Sequence, residues 1–205
     1  MMEAALLLQE LSEACGVSGH EQEVRDLIYR HVRPLADEVR VDTIGNLTAC
    51  KKARRAATAP VALRVMVAAH MDEIGFMVTG IESSGALRFV PVGGVDPRVV
   101  LGKQVVVGKD RLPGVVGCKP IHLQDEGESK KVIPFDGLWI DMGVTSKDDL
   151  GESVKVGDYG TFRVAFQELG RADGGEGQRV VLGKALDDRA GCAQLVELLR
   201  DEYPF

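Results

Sequence analysis

The sequence reads as an α/β unit interrupted by a β-rich, barrel-like insert. Three features lead there: helical apolar spacing at both ends of the chain, one long apolar run over 61–69, and a succession of short β runs between. A chain of 205 residues that is 45% hydrophobic can bury a core, as one domain or as two small ones. The net charge of −6 and a pI near 5.3 argue against a nucleic-acid partner, which a basic face would mark. The dense basic run 51–55 is short and reads as a solvated loop.

Residues 3–15 read as a helix with Leu6, Leu7, Leu11 and Ala14 on one face, stopped by Gly16 at the position where a C-cap glycine is favoured. Ser18-Gly19-His20-Glu21 then matches a capping box, with the serine oxygen on an orphan backbone N–H and the glutamate reaching back to the cap. In the helix it opens, Val24, Leu27, Ile28 and His31 fall at helical spacing, and Pro34 marks the exit. His20 and His31 are read as structural.

Beyond Pro34 the period changes. Glu38 to Val41 and Leu47 to Cys50 read as strand pieces around the turn-like segment Asp42-Thr43-Ile44-Gly45-Asn46. Val61 to Ala69, broken only by Arg64, suits a strand covered on both faces that delivers His70. From Ile74 to about Gln178 come short runs such as Phe76–Thr79, Leu87–Val90, Gln104–Val107 and Gly114–Gly117, punctuated as in a small β-barrel or sandwich. Trp139 in this stretch reads as core or dimer-interface packing. His122 reads as a surface or domain-packing histidine. Helical spacing returns after Gly183 with Cys192, Leu195, Val196 and Leu199. The expected domains are 1–73, 74–178 as the insert, and 179–205.

Cys15, Cys50, Cys118 and Cys192 show no C-x-x-C spacing, so they read as reduced thiols and not as a zinc ribbon or redox pair. The amino terminus has an apolar patch with acidic flanks and no basic n-region, and no apolar run approaches the roughly 20 residues of a membrane span. The expectation is a cytoplasmic protein without membrane contact.

Two segments carry chemistry. In His70-Met71-Asp72, placed at the expected carboxyl end of the buried strand, a histidine turned toward a metal would have its other ring nitrogen held by Asp72, fixing the tautomer. The same H-x-D spacing also describes a satisfied structural histidine. In Leu186-Asp187-Asp188-Arg189-Ala190-Gly191, Asp187 is suited to bridge two cations, since each carboxylate oxygen accepts independently. The alternative is that Asp187 or Asp188 caps the helix that follows, and both readings are compatible.

Together with Gly16-Val17-Ser18-Gly19, Asp42-Thr43-Ile44-Gly45-Asn46-Leu47, His70 through Phe76, Gly93-Gly94-Val95-Asp96 and Asp141-Met142-Gly143, these segments occur in the order seen in the tetrahedral aminopeptidases. The chain resembles that family, also called deblocking or glutamyl aminopeptidases and sometimes described as cellulases, over essentially its whole length. The resemblance implies an aminopeptidase-like catalytic α/β domain, here incomplete, interrupted by a β-rich, barrel-like dimerisation domain. It implies that His70 is a terminal metal ligand, that Asp72 is its orienting catalytic carboxylate, and that Asp187 bridges two divalent ions, zinc or cobalt. A cis Asp187–Asp188 peptide is implied too. The Pro120-Ile121-His122 segment also resembles a pattern of that family, which implies a loop reaching toward an active site. The implied reaction removes amino-terminal residues from peptides, in a homo-oligomer assembled through the insert.

The chain also departs from that family. No Glu-Glu dipeptide occurs in it, so the family's general base and the adjoining metal ligand have no position to map onto, nor do the later ligands. The expectation is therefore an amino-terminal, truncated part that is inactive alone. Two other readings stay open: a catalytically silent oligomerisation or regulatory module derived from the family, and a glycoside hydrolase, which would need two carboxylates flanking a sugar bond.

Overall fold

Where apolar residues recur three and four apart, the computed structural model has helices, and where they alternate it has strands. It describes residues 2–52, 64–124, 127, 131–171 and 179–201. In chain order the elements are α1 (Met2–Glu13), α2 (Gln22–Val32), β1 (Glu38–Val41), β2 (Leu47–Cys50), β3 (Gly75–Ile81), β4 (Leu87–Val92), α3 (Pro97–Val100) and β5 (Gln104–Val107). There follow β6 (Leu112–Cys118), β7 (Leu138–Asp141), α4 (Lys147–Leu150), β8 (Tyr159–Phe162), β9 (Gln167–Arg171), β10 (Arg179–Leu182) and α5 (Leu186–Arg200). They form two compact units, Met1–Asp72 with Ala165–Phe205, and Glu73–Val164. No helix among the described residues is long and apolar enough to cross a membrane.

The first unit is built on α1, α2 and α5, whose buried faces share one core of Leu7, Leu11, Val24, Leu27, Ile28, Val32, Cys192, Ala193 and Val196. Each such aliphatic side chain contributes about 1.5–3 kcal/mol by leaving water. Leu6, expected on the same face of α1, is 55% exposed. One residue from Leu7 is a turn of about 100°, too far round to share its stripe. On α2 the fourth core position belongs to Val32; His31 lies at the margin and meets Glu10 Oε2 at 3.4 Å.

Two expected helix signals act differently from their sequence reading. Gly16 is not in the left-handed region; what it needs is closeness, because a Cβ there would lie 2.6 Å from Val24 Cγ2 and 3.0 Å from Arg189 Nη2. The capping box expected at 18–21 does not form. Glu21 is the N-cap of α2 with no side-chain cap bond, its Oε1 accepts from the Gly19 N–H at 2.6 Å, and the Ser18 hydroxyl turns elsewhere.

Strands β1 and β2 pair antiparallel around a turn in which Asp42 Oδ1 accepts from the backbone N–H groups of Ile44 (3.0 Å) and Asn46 (2.8 Å). The buried strand expected over Val61 to Ala69 is not formed in the described residues 64–69. Its first three residues lie outside the described ones, 64–69 is irregular, and Val65, Met66 and Val67 are 73%, 92% and 58% exposed. An apolar run becomes a strand only when another strand pairs with it, and none of the described strands does. Strand β9, within the range expected for the insert, pairs with β10 just beyond that range, and both group with the first unit.

The second unit is a closed six-stranded antiparallel barrel in the order β3-β4-β7-β6-β5-β8. Alternation sends Phe76, Val78, Leu87, Phe89, Val105, Val107, Val116, Leu138 and Ile140 inward, and a register shift in β3 between Val78 and Gly80 adds curvature. Phe76 packs edge-on against Phe89 and Phe162, with ring centroids 5.0 Å away in both cases. Trp139 falls between the inward Leu138 and Ile140, so it lies half-buried on the outer face and not in the core. His122 is exposed in a short 3-10 turn.

Candidate functional site

His70, Asp72 and Asp187 meet in the first unit. His70 Nδ1 and Asp72 Oδ1 are 2.9 Å apart, and His70 Nε2 and Asp187 Oδ1 are 3.0 Å apart, so each ring nitrogen faces one carboxylate. The second Asp72 oxygen, Oδ2, accepts from the Ser18 hydroxyl. The His70 side chain is 55% exposed and that of Asp187 95% exposed, which leaves one Asp187 oxygen open.

Without a sheet ladder, residues 70–72 are held by α5. The Cys192 thiol donates to the His70 carbonyl at 3.2 Å, and Arg189 Nε donates to the Met71 carbonyl at 2.5 Å. The Arg189 guanidinium is fully buried and also donates to the carbonyls of Leu11 (2.5 Å), Ala14 (3.2 Å) and Gly16 (3.4 Å). A helix leaves its last carbonyls without intrahelical donors, and a five-donor planar fork suits them.

The acidic pair divides its work. Asp188 Oδ1 accepts from the Gly191 N–H at 3.1 Å and so caps the regular part of α5, whereas Asp187 points to His70. Both residues have non-helical backbone and the peptide between them is cis.

Burial acts to lower the His70 pKa, but hydrogen bonds with Asp187 and Asp72, and their charge, outweigh it and the net shift is upward. The Ser18 hydrogen bond, followed by that of His70, holds Asp72 below the usual carboxylate range against the opposing effect of burial. With Asp72 ionised and able only to accept, a neutral His70 carries its proton on Nδ1 and leaves Nε2 with a lone pair. An imidazole Nε2 beside a carboxylate oxygen 3.0 Å away fits a divalent ion of zinc or cobalt type. Two ligands on one tetrahedral zinc lie roughly 3.3 Å apart, given bonds of about 2 Å. Among the described residues no group of three or more His, Cys, Asp or Glu side chains is placed to hold a metal.

Sequence reasoning had not singled out Ser18 or Arg189 for the site. Arg189 left a signal: it stands three and four residues before Cys192 and Ala193, on the buried face of α5. Ser18 left a weaker one: it stands in the Gly16-Val17-Ser18-Gly19 motif, but its spacing to Glu21 matches a local cap.

A helical unit that carries two short antiparallel strand pairs, together with a closed antiparallel barrel, defines the broad class of fold, mixed α/β. The chain belongs to the M42 glutamyl aminopeptidase family, whose model matches residues 45–203; a second model, AMPT, matches residues 4–27. It is 38% identical to a lysyl aminopeptidase of Pyrococcus furiosus over 168 residues, covering 80% of this chain and 46% of that one. Among solved structures it resembles an endoglucanase of Thermotoga maritima, with 39% identity, TM-score 0.75, and coverage of 95% of this chain and 54% of that one. It also resembles the Pyrococcus horikoshii TET1 peptidase, which assembles into a tetrahedron or a large octahedral shell. There the identity is 34%, the TM-score 0.77, and the coverage 97% of this chain and 56% of that one. The chain spans about half the length of the relatives it matches.

Proposed function

We propose that this chain contributes part of the active site of a metal-dependent aminopeptidase that removes amino-terminal residues from peptides. The observation that carries the reading is His70 held between Asp72 and Asp187, with Nε2 on the Asp187 side. In this reading His70 and Asp187 would hold the metal, and Asp72 orients the ring. Bound divalent ions, zinc or cobalt, would polarise the scissile carbonyl and lower the pKa of a water. The chain's own residues set the geometry: Asp72 keeps the proton on Nδ1, and α5 holds the main chain of His70 and Met71 from behind.

A glycosidase needs its two carboxylates free to flank a sugar bond. Here Asp72 and Asp187 bind opposite nitrogens of one imidazole, which suits orienting a ligand histidine. His70 and Asp187 are too few to give a catalytic zinc its usual three protein ligands, so the chain by itself is expected to turn over no peptide. The assembling TET1 relative supports a homo-oligomer, which this reading forms through the barrel, and the free cysteines suit a reducing compartment, the cytoplasm.

The test is metal content per chain after dialysis against trace zinc and cobalt, paired with hydrolysis of an aminoacyl-anilide panel. Weak metal uptake that His70→Ala and Asp187→Ala each abolish is the expected result. Uptake unchanged in both variants would sink the ligand assignment, and chelator-sensitive turnover by the 205-residue chain would overturn its expected inactivity.

A further inference from the structure

We propose that Ser18 is a positioning residue of the histidine centre: its hydroxyl holds Asp72, and Asp72 through it holds the His70 ring. The inference rests on reading His70 and Asp187 as metal ligands and deepens it. With Asp187 these groups form one chain of three contacts, Ser18 Oγ to Asp72 Oδ2, Asp72 Oδ1 to His70 Nδ1, and His70 Nε2 to Asp187 Oδ1. A carboxylate bound through one oxygen swings about its terminal torsion, whose energy profile is broad. Bound through both oxygens, Asp72 has its plane fixed, and with it the orientation and tautomer of His70.

The local structure releases Ser18 for this task. At the start of α2 Glu21 is the N-cap, no side chain caps it, and the Gly19 N–H is taken by the Glu21 carboxylate. Gly19 has φ +84, a left-handed turn that lets the chain pass from Ser18 into the helix without the serine serving as its cap. The hydroxyl therefore goes to a carboxylate 54 residues away in sequence. Buried Val17 on its amino-terminal side anchors the loop in place.

The experiment uses the full chain and the variants Ser18→Ala, Ser18→Val and Ser18→Thr. The first readout is the pair of His70 ring nitrogen-15 shifts with the ring neutral, and the second is titration with Co2+ alone. The wild type is expected to show one tautomer, protonated on Nδ1. Ser18→Ala and Ser18→Val are expected to mix the tautomers and to weaken Co2+ binding by about tenfold, the usual loss when a ligand's orienting partner goes, with threonine restoring both. In an Asp72→Asn background, Ser18→Ala should add nothing further.

Wild-type tautomer and Co2+ affinity in the alanine and valine variants would overturn the proposal, as would losses that add in the double variant. If Ser18→Ala loses its cooperative melt, the isosteric threonine and valine variants decide, since they differ by the hydroxyl alone. A wild-type chain that takes up no Co2+ would defeat the ligand reading of His70 and Asp187, while the tautomer readout would still decide the role of Ser18.

Discussion

Cys192 presses its thiol against the His70 carbonyl, and burial, opposed in part by nearby Arg189, pushes its pKa up to about 11. The thiolate is the reactive form, so iodoacetamide should label Cys192 far more slowly than exposed Cys50, as intact-mass kinetics would report. Equal rates would rule out the packed thiol. The folded pKa lies above the ordinary value of 9.0, so the unfolded chain ionises first and stability falls as pH rises from 9.0 to about 11. Asp96 shifts the other way. Hydrogen bonds from the Arg98 side chain and then its backbone N–H, at the N-cap of α3, hold Asp96 down at about 2. A carbon-13 carboxyl titration should find that midpoint, and the small stabilisation involved is lost as pH falls from 3.8 toward 2.

The junction of α1, α5 and residues 70–72 hangs on Arg189. Replacing it by methionine removes the cost of burying a charge, but it also strips donors from the carbonyls of Leu11, Gly16 and Met71, while that of Ala14 keeps the Lys184 ammonium at 2.6 Å. Unsatisfied acceptors cost about 1–3 kcal/mol each, so the acceptor loss should win, with a net destabilisation of about 2–4 kcal/mol by urea unfolding. Arg189→Lys should recover only part of it, because an ammonium lacks the planar fork. Gly16→Ala attacks the same junction from the other side. Its methyl would meet Val24 Cγ2 and Arg189 Nη2, and overpacking of this sort costs about 1–3 kcal/mol. Unchanged stability in Gly16→Ala would mean that the junction is looser than its distances say.

The two units should differ in robustness. The barrel closes on itself, so it has no open strand edge, and it owns a continuous core. The first unit carries Val65, Met66 and Val67 exposed in an irregular segment just before the site. Limited proteolysis read by mass spectrometry should therefore cut within 64–69 early and leave a fragment close to 73–164. Survival of both units to the same time would count against this difference.

The helices of the first unit, the β1–β2 hairpin and β5 at Gln104–Val107 were legible in the sequence because periodicity and turn chemistry act within a few residues. The three side chains that meet, His70, Asp72 and Asp187, stood out in the sequence because their motifs resemble those of a known family. Leu6, Gly16 and the 61–69 run were misread for one reason: each depends on what lies opposite, and a one-dimensional pattern does not contain the opposite wall. Ser18 and Arg189 make the same point within the site. Ser18 fits a local cap on paper, yet it bonds 54 residues away, and Arg189 reaches carbonyls 118 to 178 residues distant. Local spacing selected the elements and the reactive side chains, whereas the partners of those side chains were decided by packing, because a hydrogen bond across such sequence distances exists only once the chain has folded.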